Sequence, residues 1–403
     1  MSRRPHIVVS LGDPCGIGPE LLLSSLPSLL DWAEVTVVGS KAGVDLLEGL
    51  PGARVAWRWV ETQAKVVAIA QAKAQTLQVL SLGDASPRVL AEALWLDPTP
   101  EIKANQLHLG EGSAASGRAT VEAVRAAALM TMAGAADALV TLPMAKSAAH
   151  LAGYDLPGHT EFLRDLSGSA ITRMAFVSPQ LNVVLHTVHQ SLRSVVESIT
   201  ADGVAETLIF AADRFSHLTG KTDLRVALCA LNPHGGEQGA FGEEERLLEE
   251  AIMQAGAAFL SFPASAASDA PVTRPDGHRQ RLSGGQRGVE VFSTAGAEQS
   301  RPTPLFFGPL PSDSVFQRAS QGEFDLVVAL YHDQGLIPIK LLEPTRAVNL
   351  TLGLPFIRTS PDHGTAFDKA GKWVADSRNF LAAAALAIRL AGQSGLPLPS
   401  PGA

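Results

Sequence analysis

The sequence predicts an α/β protein with a mostly parallel sheet, divided into two α/β lobes. Three observations lead there. Short β-branched runs alternate with Ala/Leu-rich helical runs along the chain. At 403 residues the chain is too long for one small core and suits two lobes. Three unusual histidine motifs each follow a strand-like run, and strand ends are where open α/β sheets present ligands.

Strands are expected at residues 6–10, 35–39, 138–141, 174–177, 182–185, 224–228, 325–330 and 348–352, each bounded by Gly, Pro or a polar residue. Residues 117–133 place Val121, Val124, Ala128 and Met132 on one helical face. Residues 243–254 open with acids, as a helix N-terminus prefers. Residues 60–106, rich in Ala, Gln and Leu, read as an elaboration without recognisable chemistry. Residues 264–301 read as a partly mobile surface excursion, and the Pro/Gly/Ser-rich tail 393–403 as fraying. The first lobe is expected to span residues 1–145 plus 350–403. The second, at 146–349, would carry the histidines and the 264–301 excursion.

Composition narrows the function. With 46% hydrophobic and 18% charged residues the chain can bury a large core. A net charge of -8 and no basic stripe interleaved with aromatics argue against nucleic acid. Cys15 and Cys229, far apart, exclude a disulfide framework and a Cys-rich zinc site. No signal-peptide core and no run long enough to span a bilayer stand out, so a soluble, cytoplasmic protein without a membrane partner is expected.

The histidine motifs are Leu185-His-Thr-Val-His-Gln-Ser-Leu192, Asn232-Pro-His-Gly-Gly-Glu237 and Tyr331-His-Asp-Gln-Gly335. A lone histidine is usually a satisfied core or surface residue, but three such settings are hard to explain separately. Converging, His189, His234 and His332 would form a divalent-metal site with an open coordination position. Glycines strip bulk from around His234, and Asp333 and Gln334 could orient His332 or a water.

Other polar motifs carry two readings each. The loop Gly12-Asp-Pro-Cys-Gly-Ile-Gly-Pro-Glu20 could hold an anion on free amides or be a tight strand–helix turn. Its spacing is neither a dinucleotide fingerprint nor a P-loop. Lys146 could transfer a proton or bind phosphate, or be an ordinary solvated lysine. His159 and Thr160 offer an imidazole and a hydroxyl to a polar substrate, although His159 could equally cap a helix. Lys340 and Arg358 could hold a phosphate or carboxylate. Asn349, interrupting a strand-like run, is either paired in the core or aimed at a ligand.

Taken in order, the Gly12–Glu20 loop, Gly158-His-Thr-Glu161, Asn232-Pro-His-Gly-Gly-Glu237, Gly308-Pro-Leu-Pro-Ser-Asp313, Tyr331-His-Asp-Gln-Gly335 and Asp362-His-Gly-Thr365 resemble the 4-hydroxythreonine-4-phosphate dehydrogenase (PdxA) family. The resemblance spans nearly the whole chain. It implies an isocitrate/isopropylmalate dehydrogenase-like fold, two α/β lobes with an intervening cleft, binding NAD or NADP without a Rossmann fingerprint. It implies a homodimer with the active site at the subunit interface. It assigns His189, His234 and His332 to one divalent ion (zinc, magnesium or cobalt) and His159, Thr160, Lys340, Asn349 and Arg358 to the substrate.

The implied reaction oxidises 4-phosphohydroxy-L-threonine at C3 and decarboxylates it to 3-amino-2-oxopropyl phosphate, in pyridoxine and pyridoxal 5'-phosphate biosynthesis. The metal would ease loss of the hydroxyl proton and stabilise the enolate left by departing carbon dioxide. Asp333 or Lys146 would move protons, Asp333 being the catalytic candidate. Where the family usually has Thr-His-x-Pro-Leu, this chain has Val188-His-Gln-Ser-Leu192, and residues 60–106 and 264–301 exceed a typical member. Three other functions stay open: a dehydrogenase of 4-phospho-D-threonate or 4-phospho-D-erythronate, a three-histidine metal hydrolase without nucleotide, and a non-catalytic metabolite-binding relative.

Overall fold

The computed structural model describes residues 4–48, 50, 59–60, 88–90, 93–261 and 303–392. Its strands, in chain order, are β1 (His6–Ser10), β2 (Glu34–Val38), β3 (Trp59–Val60), β4 (Arg88–Leu90), β5 (Ala93–Leu96), β6 (Ala138–Thr141), β7 (Arg173–Val177), β8 (Asn182–Leu185), β9 (Arg225–Cys229), β10 (Leu305–Leu310), β11 (Leu326–Ala329), β12 (Val348–Leu352) and β13 (Ile357–Pro361). All eight expected strands form. The excursion 264–301 and the tail 393–403 lie outside the described residues.

The chain divides into two compact units, residues 1–178 with 343–403, and residues 179–342. The divisions differ from those expected at 145/146 and 349/350. The cause is strand pairing. β12 runs antiparallel between β7 and β13, with Asn349 opposite Phe176 and Ser360, and β13 is parallel to β6. That ladder ties residues 146–178 and 343–349 into the first unit.

In the first unit the strand order is β7-β12-β13-β6-β1-β2-β5-β4-β3. β13, β6, β1, β2 and β5 are mutually parallel, and antiparallel strands flank them. The central strands carry buried runs such as Ile7-Val-Val9 and Leu139-Val140, as sheets covered on both faces require. Thr359 faces the helix Arg378–Gly392, donating its hydroxyl to the Ala383 carbonyl at 2.9 Å. With a period of two, Arg358 faces the opposite side. There the helices Ala114–Met132 and His159–Ser167 pack, the latter through Leu163, on Val8 and Leu139.

Of the segment 60–106, the described residues from 93 onward join the first unit's sheet and core. β5 extends the parallel sheet, and Trp95 is fully buried, its indole N–H donating to the Gly39 carbonyl at 2.9 Å. Ile102 packs with Cys15, Ala42, Leu107 and Ala119.

Gly117 shows how closely the helices approach. An added Cβ would overlap the backbone of Ala148 at the facing helix Lys146–Leu151. Gly117→Ala is therefore expected to destabilise the protein by about 2 kcal/mol, despite alanine's helix advantage of about 1 kcal/mol. Denaturant unfolding checks this, and a variant as stable as the parent would refute the close packing.

In the second unit the strand order is β10-β9-β11-β8, all parallel. Helices Ala201–Thr219 and Glu245–Ser261 pack against each other. The three histidine motifs leave the C-terminal ends of β8, β9 and β11, three adjacent parallel strands. Among the described residues no helix is long and apolar enough to cross a membrane.

Candidate functional site

In the second unit, hydrogen bonds continue past the strand ends. The His186 amide donates to Ala329, and the Thr187 hydroxyl donates to the Leu330 carbonyl at 2.7 Å. Two residues further along each chain stand His189 and His332, with ring centroids 5.7 Å apart. His332 begins the helix His332–Leu342, and its Nδ1–H donates to Asp333 Oδ1 at 2.7 Å. That bond leaves Nε2 as the ring nitrogen open to a ligand, the arrangement a carboxylate gives a histidine at metals.

Asp333 is thus engaged in holding His332. Gln334 has another task. Buried, it accepts from the Leu330 amide at 2.6 Å and donates to the Ala230 carbonyl at 2.8 Å and to Ser312 Oγ at 2.9 Å. It clamps the ends of β11 and β9 and so fixes where the helix starts. His186 is hydrogen-bonded to Thr207 Oγ1 at 2.8 Å and packs against the Ala201–Thr219 helix.

His234 behaves differently. It lies on a turn whose residues 234–238 all have left-handed φ, from 43° to 71°. Glu245 anchors the turn, accepting from the amides of Leu231 at 3.1 Å and Asn232 at 2.7 Å. Gly236 is needed because a Cβ there would crowd the Glu245 carboxylate. Gly236 therefore serves the turn. His234 is exposed beside Phe241, with ring centroids 6.3 Å apart. Among the described residues no three His, Cys, Asp or Glu side chains are grouped as metal ligands. As donors, His189 and His332 fit a divalent ion; His234 does not join them within this chain. Lys340 is exposed on the last turn of the His332–Leu342 helix.

The first unit holds the other expected residues. Arg358, on β13, is 2% exposed. Its Nε and Nη2 donate to Thr141 Oγ1 at 3.2 and 2.6 Å, and its Nη1 donates to Thr351 Oγ1 at 3.0 Å. Burial lowers its pKa to about 10, opposed by the Glu161 charge. Asn349 stands two residues from Thr351 on the same face of β12, its Oδ1 buried without a hydrogen-bond partner among the described residues.

His159 and Thr160 open the helix His159–Ser167. His159 Nε2 is likewise buried and unpartnered among the described residues. Burial first, then the charges of Arg358 and Lys146, push its pKa down to about 3, so the imidazole is neutral at physiological pH. Lys146 and Glu161 both border Gly158. His363, whose Nε2 is also buried and unpartnered among the described residues, lies in the loop after β13.

The glycine-rich loop resolves as a packing turn. The Asp13 amide donates to Pro143, Cys15 to Asp13 Oδ1, Gly16 to the Asp13 carbonyl and Ile17 to Thr365. Those amides are committed within the protein, so none of the four is left for an anion. Gly12, at φ 72°, is required because a Cβ would overlap the Pro143 carbonyl.

Asp13 is 1% exposed, and burial lifts its carboxyl to about 6, against hydrogen bonds from Cys15 and Ser116. An acid whose folded pKa exceeds its unfolded value destabilises the fold as pH rises between the two, here from about 4 to about 6. Asp13→Asn should remove that decline. The variant's stability relative to the parent should increase from pH 4 to pH 7 by up to about 3 kcal/mol. Denaturant unfolding at the two pH values reads it, and a pH-independent difference would contradict the buried carboxyl.

The chain matches the family described as pyridoxal phosphate biosynthetic protein PdxA over residues 35–272 and 289–387. It belongs to the PdxA family. The match runs through residues 60–106 and is interrupted only inside the 264–301 excursion. A 4-hydroxythreonine-4-phosphate dehydrogenase of Desulfosudis oleivorans is 35% identical, with 96% of each chain covered. A D-threonate 4-phosphate dehydrogenase of Salmonella typhimurium is 32% identical, over 96% of this chain and 98% of that one.

Among solved structures, a 4-hydroxythreonine-4-phosphate dehydrogenase of Klebsiella pneumoniae has a TM-score of 0.68 at 30% identity, over 96% of this chain and 99% of that one. The fold of this PdxA member is accordingly isocitrate/isopropylmalate dehydrogenase-like. A dihydrodiol dehydrogenase of Burkholderia xenovorans, at 22% identity and TM-score 0.53, shares that fold.

Proposed function

We propose that this PdxA-family protein oxidises 4-phosphohydroxy-L-threonine at C3 with NAD or NADP and decarboxylates the product to 3-amino-2-oxopropyl phosphate. The observation that carries the reading is Arg358: a buried guanidinium held, among the described residues, only by neutral hydroxyls, in a chain whose relatives are dehydrogenases of phosphorylated hydroxy acids. Such a charge calls for an anionic ligand.

Arg358, Lys340 and Asn349 bind the substrate's anionic and polar groups. The neutral imidazole of His159 and the hydroxyl of Thr160 orient it. The nicotinamide supplies the hydride acceptor. His189, His234 and His332 would hold a divalent ion, which would supply electrophilic assistance at the oxygen on C3. Asp333 holds His332 through its Nδ1–H, which shifts the proton-carrying role toward Lys146 at the edge of Gly158. Overall, the C3 hydroxyl loses a proton and C3 a hydride. The C1–C2 bond then breaks, its electron pair forms an enolate, carbon dioxide leaves and C2 is protonated.

The working form is assigned as a homodimer that completes the active site, in the cytoplasm. Two features support the dimer: the separation of His234 from the His189–His332 pair, and the exposed apolar side chains of Leu192, Val196, Ile337 and Leu341 in the second unit. Ile337→Asp should shift the protein toward monomer in sedimentation velocity, and a monomeric parent would remove the assignment.

A second reading, oxidation of 4-phospho-D-threonate or 4-phospho-D-erythronate, is favoured by the relatives named D-threonate 4-phosphate dehydrogenase. These substrates carry a hydroxyl in place of the amino group at C2. A panel of the three substrates with each nucleotide and zinc, magnesium or cobalt, followed by NAD(P)H absorbance, separates the readings. Turnover of phosphohydroxythreonine alone supports the first and turnover of the sugar-acid phosphates alone the second. No turnover of any would return a metal hydrolase or a binding protein.

A further inference from the structure

We infer that Thr141 and Thr351 are positioning residues for substrate binding: their hydroxyls aim the Arg358 guanidinium while leaving its charge, and two of its N–H groups, for an oxyanion. The inference deepens the reading in which Arg358 binds substrate.

Five N–H groups project from a guanidinium. Three are committed, two to Thr141 Oγ1 and one to Thr351 Oγ1. Two remain, one on Nη1 and one on Nη2, with no acceptor among the described residues. A buried arginine is ordinarily hydrogen-bonded to a carboxylate, which neutralises it. Here both partners are neutral. Glu161 acts on Arg358 through its charge, without a hydrogen bond. Threonine hydroxyls accept from the guanidinium and fix its plane without quenching its charge.

The strand pairing places the hydroxyls where this requires. Leu350 pairs Thr359 and Asn349 pairs Ser360, so the antiparallel register sets Thr351 opposite Arg358. On the other side β13 runs parallel to β6, with Arg358 beside Leu139, two residues from Thr141 on the same face. Thr141 and Thr351 are 0% and 3% exposed, so solvent does not compete for Arg358 there. The same face of β12 carries Asn349, whose Oδ1 is buried and without a partner among the described residues, and His159, whose Nε2 is likewise without one there, opens a helix packed over this face. Three groups on this face are thus short of partners. A purely structural pair of threonines would satisfy a buried arginine without leaving its neighbours unsatisfied.

The test is direct anion binding, which does not need turnover. The parent, Thr351→Val, Thr351→Ser, Thr141→Val and Thr141→Ser are titrated with inorganic phosphate and, separately, with unphosphorylated D-threonate, by calorimetry. At least one anion should bind the parent, and the one that binds identifies whether phosphate or carboxylate occupies Arg358. Each valine variant should bind it about 10-fold or more weakly, the effect of one hydrogen bond to a charged group. Each serine variant, which keeps the hydroxyl, should stay within about 3-fold of the parent.

In turnover assays the valine variants should raise KM more than they lower kcat. The inference fails if neither anion binds, if the valine variants bind like the parent, or if serine fails to rescue. Should Thr141→Val unfold, the Thr351 pair decides alone. Anion binding that follows this pattern in a protein that oxidises none of the three phosphorylated acids would overturn the proposed function and leave the inference standing.

Discussion

Arg358→Met is expected to abolish most activity while leaving the fold intact. Two uncommitted N–H groups on a buried cation are what an anionic substrate would bind, and hydrogen bonds to charged groups contribute about 1.5–3 kcal/mol each. Losing both lowers kcat/KM by about 10²–10⁴-fold. The fold should not suffer in proportion. Among the described residues Arg358 has no carboxylate in hydrogen-bond contact, and a buried charge without such a partner carries a desolvation cost that an apolar side chain of similar length avoids. Thermal unfolding of the ligand-free variant should thus occur at or above the parent's midpoint. A variant that unfolds well below the parent would show that Arg358 is a structural residue, and one that keeps full kcat/KM would remove it from the site.

If His332 holds the proposed divalent ion, His332→Ala should weaken its binding by more than about 100-fold, beyond the 10–100-fold typical of losing an outer-shell partner. Asp333→Asn should fall within that 10–100-fold range, because Asp333 acts by holding the His332 imidazole. Zinc or cobalt titrations of the parent and both variants read the affinities. Turnover at saturating metal then separates two roles for Asp333. Near-parental kcat marks it as a positioning residue; unchanged affinity with a large loss of kcat would make it the proton carrier. Unchanged metal affinity in His332→Ala would sink the metal assignment.

Each of these predictions joins something legible in the sequence to something that was not. The histidine motifs are visible because glycine, proline and polar residues gather abruptly after apolar runs. The structure places all three at the ends of adjacent parallel strands. His189 and His332 meet, while His234 stands on a left-handed turn at residues 234–238, a backbone state that no local pattern declares. The Gly12–Glu20 loop reads as an anion cradle or as a turn with equal ease. Only the fold shows its amides going to Asp13, Pro143 and Thr365.

β13 is the clearest omission. Ile357-Arg-Thr-Ser-Pro361 has one large apolar residue and no expected strand covers it, yet residues 358–361 are buried. Its polar side chains find partners on both sides: Thr359 on the Ala383 carbonyl, Arg358 on Thr141 and Thr351. A signal was present in the threonines at 141 and 351, but their strands are 210 residues apart, and nothing local pairs them.

By itself, then, the sequence determined the α/β class, the eight strands with apolar runs, the strand-end histidines and, through six ordered motifs, the family. The class, the strands and the strand-end histidines rest on short-range alternation and composition, which local physics imposes residue by residue; the family rests on the resemblance of its motifs. The tertiary structure alone decided where the units divide, which histidines approach, which acceptors take the loop amides, and that Arg358 lies buried on neutral partners. Those depend on pairings between distant segments, whose energies appear only once the sheet is assembled.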